Sequence, residues 1–173
     1  MDQIDINKLW QNFVDTITNH YTDMNGRVSR AQFWYYILVY VVIGIGVAIV
    51  GSVVSAGSLA GAAYAVALLL PSVGITARRL QDTGRSGSLA WLWAIPVAAR
   101  VLSALFWAFT IMTFGLGLVL LPLMGLVSLV ALAAAVVLIY FCAQPGEAGS
   151  NVYGPPPPVW TPGGTPRPTA PAA

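Results

Sequence analysis

The side chains able to do directed chemistry fall in three short polar stretches and at one isolated position. Arg27 and Arg30 stand three apart. Arg78, Arg79, Asp82 and Arg85 form a second stretch, Asn151 and Tyr153 lie in a third, and Arg100 stands alone inside an apolar run. Guanidinium groups grip carboxylates and phosphates through parallel N–H donors. These arginines are therefore candidates for holding an anionic lipid headgroup or the acidic surface of a partner. Arg27 and Arg30 share a face if a helix begins early; the alternative is simple anchoring of a membrane helix by its flanking cations. Arg78, Asp82 and Arg85 are spaced four and three apart, so a helix through them sets the carboxylate between two guanidiniums. That arrangement serves either as an anion pocket built with Arg27 and Arg30 or as an ion ladder that only fixes a loop, since exposed pairs contribute about 0–1 kcal/mol.

The rest of the inventory excludes most chemistry. The chain holds one histidine (His20), one cysteine (Cys142), one lysine (Lys8) and one glutamate (Glu147). A Ser–His–Asp triad, a Cys–His pair, a Schiff-base lysine and a metal hydrolase site each lack members or a shared location. No cofactor and no metal are expected, and no disulfide can form within the chain. Gly84-Arg85-Ser86-Gly87-Ser88 lacks the lysine and the spacing of a phosphate-binding loop. A formal net charge of +2 is too small for the dense basic face that nucleic acid requires. Arg100 at the centre of a membrane helix costs about 2.5–3.5 kcal/mol. Its possible neighbours are carbonyls freed near Pro96, the Ser103 hydroxyl, a second subunit, or the membrane surface reached by snorkelling. No carboxylate lies in any apolar run, which argues against a proton- or sodium-coupled carrier.

The elements that must position these groups follow from composition. Of 173 residues, 57% are hydrophobic and 8% charged, against about 25% charged in ordinary soluble domains, and the mean hydropathy is +0.75. The chain is therefore read as an all-α, polytopic membrane protein: a four-helix transmembrane bundle with an N-terminal amphipathic helix. Residues 1–32 form the N-terminal segment, in which Ile6, Leu9, Trp10, Phe13, Val14, Ile17 and Tyr21 recur at steps of three and four. Asp5 is the expected cap of this helix, which lies either on the membrane or on the protein's own surface. The transmembrane domain occupies 33–143, with spans at about 33–54, 59–76, 89–111 and 118–142. The first turn is expected around Ser55, Gly57 and Ser58, the second polar stretch lies outside the bilayer, and the last turn falls at Gly115 and Gly117. Residues 144–173 hold nine of the twelve prolines, four of them consecutive at 155–158, and read as a disordered tail.

Lys8, Arg27 and Arg30 precede the first span and Arg78, Arg79 and Arg85 separate the second from the third, while the other two turns carry no cation. The positive-inside rule then puts both termini in the cytoplasm. Aromatic residues agree: Phe33, Trp34, Tyr35 and Tyr36 open the first span, and Trp91 and Trp107 are roughly 24 Å of helix rise apart. Gly44, Ala48 and Ser52 on one span and Gly57, Gly61 and Ala65 on the next recur every four residues, which allows close packing within the chain or between copies.

Taken together, Gly26-Arg27-Val28-Ser29-Arg30-Ala31-Gln32-Phe33-Trp34, the run Leu70-Pro71-Ser72 leading to Arg78-Arg79-Leu80-Gln81-Asp82-Thr83-Gly84-Arg85-Ser86-Gly87, and Pro145-Gly146 with Asn151-Val152-Tyr153-Gly154-Pro155 resemble the bacterial membrane family known as domain of unknown function 805. The resemblance covers about residues 20 to 158. It implies a small inner-membrane protein without an assigned activity. Ser88 stands where the family tends to have an aromatic residue, and Pro156-Pro157 where an acidic one is common. Because topology puts the three motifs on one side, Asn151 and Tyr153 are expected to fold back onto Arg78 to Arg85 and onto Arg27 and Arg30 as one polar layer. The expected function is that of an interaction or envelope-associated component, not an enzyme. Its expected partners are membrane lipids with anionic headgroups, a second copy, or another membrane protein. The alternative is a small oligomeric channel or facilitator that uses Arg100.

Overall fold

The computed structural model describes residues 6–53 and 57–157, so the Asp5 cap, the turn at Ser55 and the tail beyond 157 lie outside the described residues. Within them the chain is all-α. Helix α1 is Ile6–Thr18, α2 Arg30–Val53, α3 Gly57–Ala67, α4 Leu69–Asp82, α5 Ala94–Met112 and α6 Leu121–Ala143; short 3-10 turns at Gly87–Trp93 and Leu116–Leu120 lead into the last two. Three stretches are long and apolar enough to cross a membrane: α2, Gly87–Met112 and Leu116–Ala143. A fourth crossing needs α3 and α4 together, bent by 47°.

The outward faces of these helices are large and greasy, with Val42, Ile49, Leu105, Leu129 and Leu132 all exposed. The residues buried between them are small, including Ala62, Ala65, Ala99, Ala104, Ala131 and Ala134. Lipid offers no hydrophobic force to press helices together, so close backbone approach must hold the bundle. Of the two four-residue small stripes, Gly61 and Ala65 on α3 are buried, whereas on α2 only Gly44 meets a neighbour, the Tyr64 ring, and Ala48 and Ser52 are exposed. Trp91 and Trp107 are exposed. Pro122 sits in the first turn of α6, and Gly115 takes the left-handed turn before it.

The second apolar run does not form one helix over 59–76. Pro71 has no N–H to offer the Ala67 carbonyl and its ring crowds that group, so the helix breaks at Leu68. The freed Ala67 oxygen accepts a 2.6 Å hydrogen bond from the Tyr21 hydroxyl. After the bend, α4 continues through the polar stretch to Asp82, with every residue from Pro71 onward buried. This segment lies inside the protein rather than in a solvated loop.

Helix α1 packs on the base of α2. Leu9, Asn12, Phe13 and Thr16 are buried, Phe13 stacks on Tyr36 at 5.4 Å, and the Asn12 amide donates to the Gln32 carbonyl at 2.9 Å. The apolar stripe is divided, because Ile6 and Trp10 remain exposed on the far side. The chain after α1 then crosses α4 so closely that a Cβ at Gly74 would lie 2.7 Å from the Asp23 carbonyl oxygen. Backbone cannot give way as a side-chain tip does, so Gly74→Ala is expected to destabilise by about 1–3 kcal/mol. Thermal unfolding of the detergent-solubilised protein checks this; a melting temperature equal to wild type would refute the contact.

Candidate functional site

The end of α4 gathers the three polar stretches. The helix stops in a Schellman turn: Gly84, at φ +74°, donates to the Gln81 carbonyl and Arg85 to that of Leu80. Asp82 is thus the last helical residue, and Arg79 lies one turn before it on the same face. The 26–29 segment runs alongside, with the Val28 N–H on the Arg78 carbonyl at 3.3 Å. Ser29 and Gln32 form a capping box that starts α2. This fixes Arg27 over the end of α4.

The Asp82 carboxylate lies between two guanidiniums whose side chains are each 1% exposed. Arg27 donates through Nε to Oδ1 at 2.9 Å, with its Nη2 also 2.9 Å from that oxygen, and Arg79 donates through Nη1 to Oδ2. The other donors hold the chain that leaves α6. Arg27 reaches the carbonyls of Gly149 at 2.6 Å, Gly154 at 3.3 Å and Glu147. Arg79 reaches those of Cys142 at 3.0 Å and Gln144. The Cys142 carbonyl lies in the last turn of α6, where carbonyls lack helical partners and carry partial negative charge, so Arg79 closes that helix end.

The same strap is stitched to α4 by backbone and amide bonds. Glu147 N–H donates to the Asp82 carbonyl at 2.8 Å. The Asn151 amide donates to the Gln81 carbonyl at 2.9 Å and to Glu147 Oε2 at 2.7 Å, and its oxygen accepts from the Tyr153 N–H. We call the assembly of Arg27, Arg79, Asp82 and the 144–154 strap the clasp.

The structure therefore brings Arg27, Arg79, Asp82, Asn151 and Tyr153 together and places the remaining arginines differently. Asp82 is not flanked by Arg78 and Arg85 as a helical ladder. Arg85 follows the Schellman glycine, so it leaves the helix face and stacks 4.8 Å over the Phe141 ring. Arg78 makes no ion pair with Asp82 and is buried, its Nε without a hydrogen-bond partner among the described residues. Arg30 is exposed at the start of α2. Arg100 lies apart, exposed on α5, with Nη1 against Gly61 of α3; Ser103 bonds instead to its own helix, at the Ala99 carbonyl.

Three participants were not singled out by residue type: Gln81, Gly146 and Glu147. Gly146 and Glu147 act largely through backbone, which leaves little trace in side-chain chemistry, although the Pro145-Gly146 pair marks a turn. Both Asp82 oxygens are engaged by cations, so the chemistry of this centre is that of a lock. Among the described residues no group of three His, Cys, Asp or Glu side chains could hold a metal. A groove of about 460 Å³ opens along α2 and α3, lined by apolar and small residues such as Ile43, Val47, Val50 and Ala60.

A helical membrane protein closed at one end by a buried Arg–Asp–Arg clasp is the class these observations define. The chain belongs to the family described as protein of unknown function DUF805, whose model matches residues 21–155 and so includes the whole clasp. It is similar to the inner membrane protein YhaI of Escherichia coli strain K12 and to that of strain O157:H7. Each is 24% identical over 140 residues, covering 80% of this chain and 89% of the relative. No solved structure matches.

Proposed function

We propose that the protein is a multi-pass inner-membrane component without catalytic activity, with both termini and the clasp on the cytoplasmic side, where Arg30 and Arg85 meet anionic lipid headgroups. One observation carries this reading: Arg27 and Arg79 are occupied by Asp82 and the strap, while the side chains of Arg30 and Arg85, in the same two polar stretches, have no hydrogen-bond partner among the described residues. The clasp is then the rigid mount and the outer arginines are the contact. The loop cations and the description of YhaI as an inner membrane protein support the placement. The channel alternative finds less support, because Arg100 is on an outward face and any conduit would have to form between copies.

Single cysteines at positions 85 and 160, in a background lacking Cys142, should resist an impermeant maleimide in intact cells and react after lysis. In lipid retention by native mass spectrometry, the double variant Arg30→Gln/Arg85→Gln should hold about tenfold less phosphatidylglycerol, the scale of one charged hydrogen bond. Labelling of position 85 from outside refutes the topology; unchanged retention refutes the headgroup contact.

A further inference from the structure

Helix α1 has three faces, and the described residues cover only one of them. At about 3.6 residues per turn, Leu9, Asn12, Phe13 and Thr16 share one sector, which is buried in the protein. Lys8, Gln11 and Asp15 lie in a polar sector across the helix, with Lys8 and Gln11 exposed. Between the two runs an apolar edge of Ile6, Trp10 and Val14, each four residues from the next. Ile6 is 77% and Trp10 54% exposed, although the Trp10 ring stacks on Phe13 at 6.0 Å.

The contacts of α1 fix its depth. Helix α2 has 24 residues, about 36 Å of rise against about 30 Å of hydrocarbon, and Arg30 and Gln32 place the surplus in its first turn. The hydrocarbon boundary therefore falls close to Phe33 and Trp34. Asn12 donates to the Gln32 carbonyl at 2.9 Å and Phe13 stacks on Tyr36 at 5.4 Å, so the middle of α1 is level with that boundary. Its exit lies in the same layer. The His20 and Asp23 carbonyls pass over Gly74, which stands on α4 between Ser72, bonded to the Tyr36 hydroxyl at 2.8 Å, and Arg78, whose carbonyl accepts from Val28. A helix whose middle and exit both sit beside residues 28–36 runs along the membrane surface.

We propose that the edge of Ile6, Trp10 and Val14 is embedded in the bilayer, among the acyl chains just beneath the headgroups. Protein, lipid and water then each take one face of α1. An apolar edge bordered by polar residues is what an in-plane interfacial helix presents, and a tryptophan ring settles at that depth. A second copy of the chain fits less well. Three side chains along about 12 Å of helix fall far short of the about 800 Å² per partner that a stable interface needs. Lys8 is the one basic residue of α1, so attraction to anionic lipid is slight and the apolar contact carries the embedding. The site does not depend on Arg30, on Arg85 or on which side of the membrane the clasp faces.

The test places nitroxide labels at single cysteines in the full chain lacking Cys142, held in nanodiscs of phosphatidylcholine. Oxygen, which concentrates among acyl chains, should collide more often than a water-soluble nickel chelate with labels on Ile6→Cys, Trp10→Cys and Val14→Cys. The ratio should invert on Gln11→Cys and Asp15→Cys, and the pattern should persist when phosphatidylglycerol replaces part of the lipid. Ile6→Cys and Val14→Cys keep the Trp10 ring, so they decide the matter if Trp10→Cys fails to fold. Nickel access along the apolar edge equal to that at Gln11→Cys would leave the edge in water. Exclusion of both reagents would mean that protein covers it, a second copy if the spectra show spin–spin broadening. A pattern that appears only with phosphatidylglycerol would make charge the cause. Each of these three results would overturn the proposal. Phosphatidylcholine carries no net charge, so the result stands apart from the anionic headgroup contact of Arg30 and Arg85.

Discussion

Asp82→Ala is expected to destabilise the protein by about 3–5 kcal/mol, because it strands two buried guanidiniums without their counter-charge. Arg27 and Arg79 have side chains only 1% exposed, so neither can turn to water without opening the clasp. The intact triad is not by itself a large source of stability, since desolvation offsets much of the Coulomb attraction. The loss arises from breaking it on one side. Unfolding of the purified protein should show the drop, and limited proteolysis should show new cleavage within 144–154, since the strap is held by the same two arginines. Asp82→Asn keeps an acceptor for one guanidinium and should lose less. A stability of Asp82→Ala within about 1 kcal/mol of wild type, the range of an exposed pair, would show that the charges are solvated and the clasp is not formed.

The second large effect is expected at a residue with no side chain. A Cβ at Gly146 would lie 2.1 Å from Asp82 Oδ2 and 2.8 Å from its Cγ. A free carboxylate would swing aside, but this one is held on both oxygens, so the strap must lift instead. Gly146→Ala should then cost about 1–3 kcal/mol, as overpacking in a rigid interior does, and should share the proteolytic signature of Asp82→Ala. Gly149, three residues on, is the internal control: a Cβ there meets nothing within 4 Å, so Gly149→Ala should leave both stability and cleavage unchanged. Equal effects at the two glycines would mean that the strap responds to general backbone stiffening.

Much of this architecture is legible in the residues, and the parts that are not have identifiable reasons. Long apolar runs, broken only by Arg100 in α5, announce α2, α5 and α6 because only such runs reach across hydrocarbon. The meeting of Arg27, Asp82 and Asn151 could be expected once three polar motifs shared one side of a membrane. Pairing within the second motif could not be settled by spacing, since residues three and four apart are both helical neighbours. Asp82 takes Arg79 because the helix ends there and Arg85 is carried off by the turn at Gly84. The bend at Leu68 requires following Pro71 back four residues to the carbonyl that it leaves unbonded. The strap is gripped mainly through carbonyl oxygens, which every residue possesses, and sequence carries almost no record of that kind of recognition.

Arg27 is synthesised at least 120 residues before the carbonyls it binds at Glu147, Gly149 and Gly154. The lock therefore cannot shut on a chain that stops short of α6 and the strap behind it. Until α6 has been made, Asp82 must balance two cations while the helix end that Arg79 will cap does not yet exist. A truncated product thus carries its own mark of incompleteness: an open, charged seam at the base of the bundle, where a full-length chain shows a sealed surface.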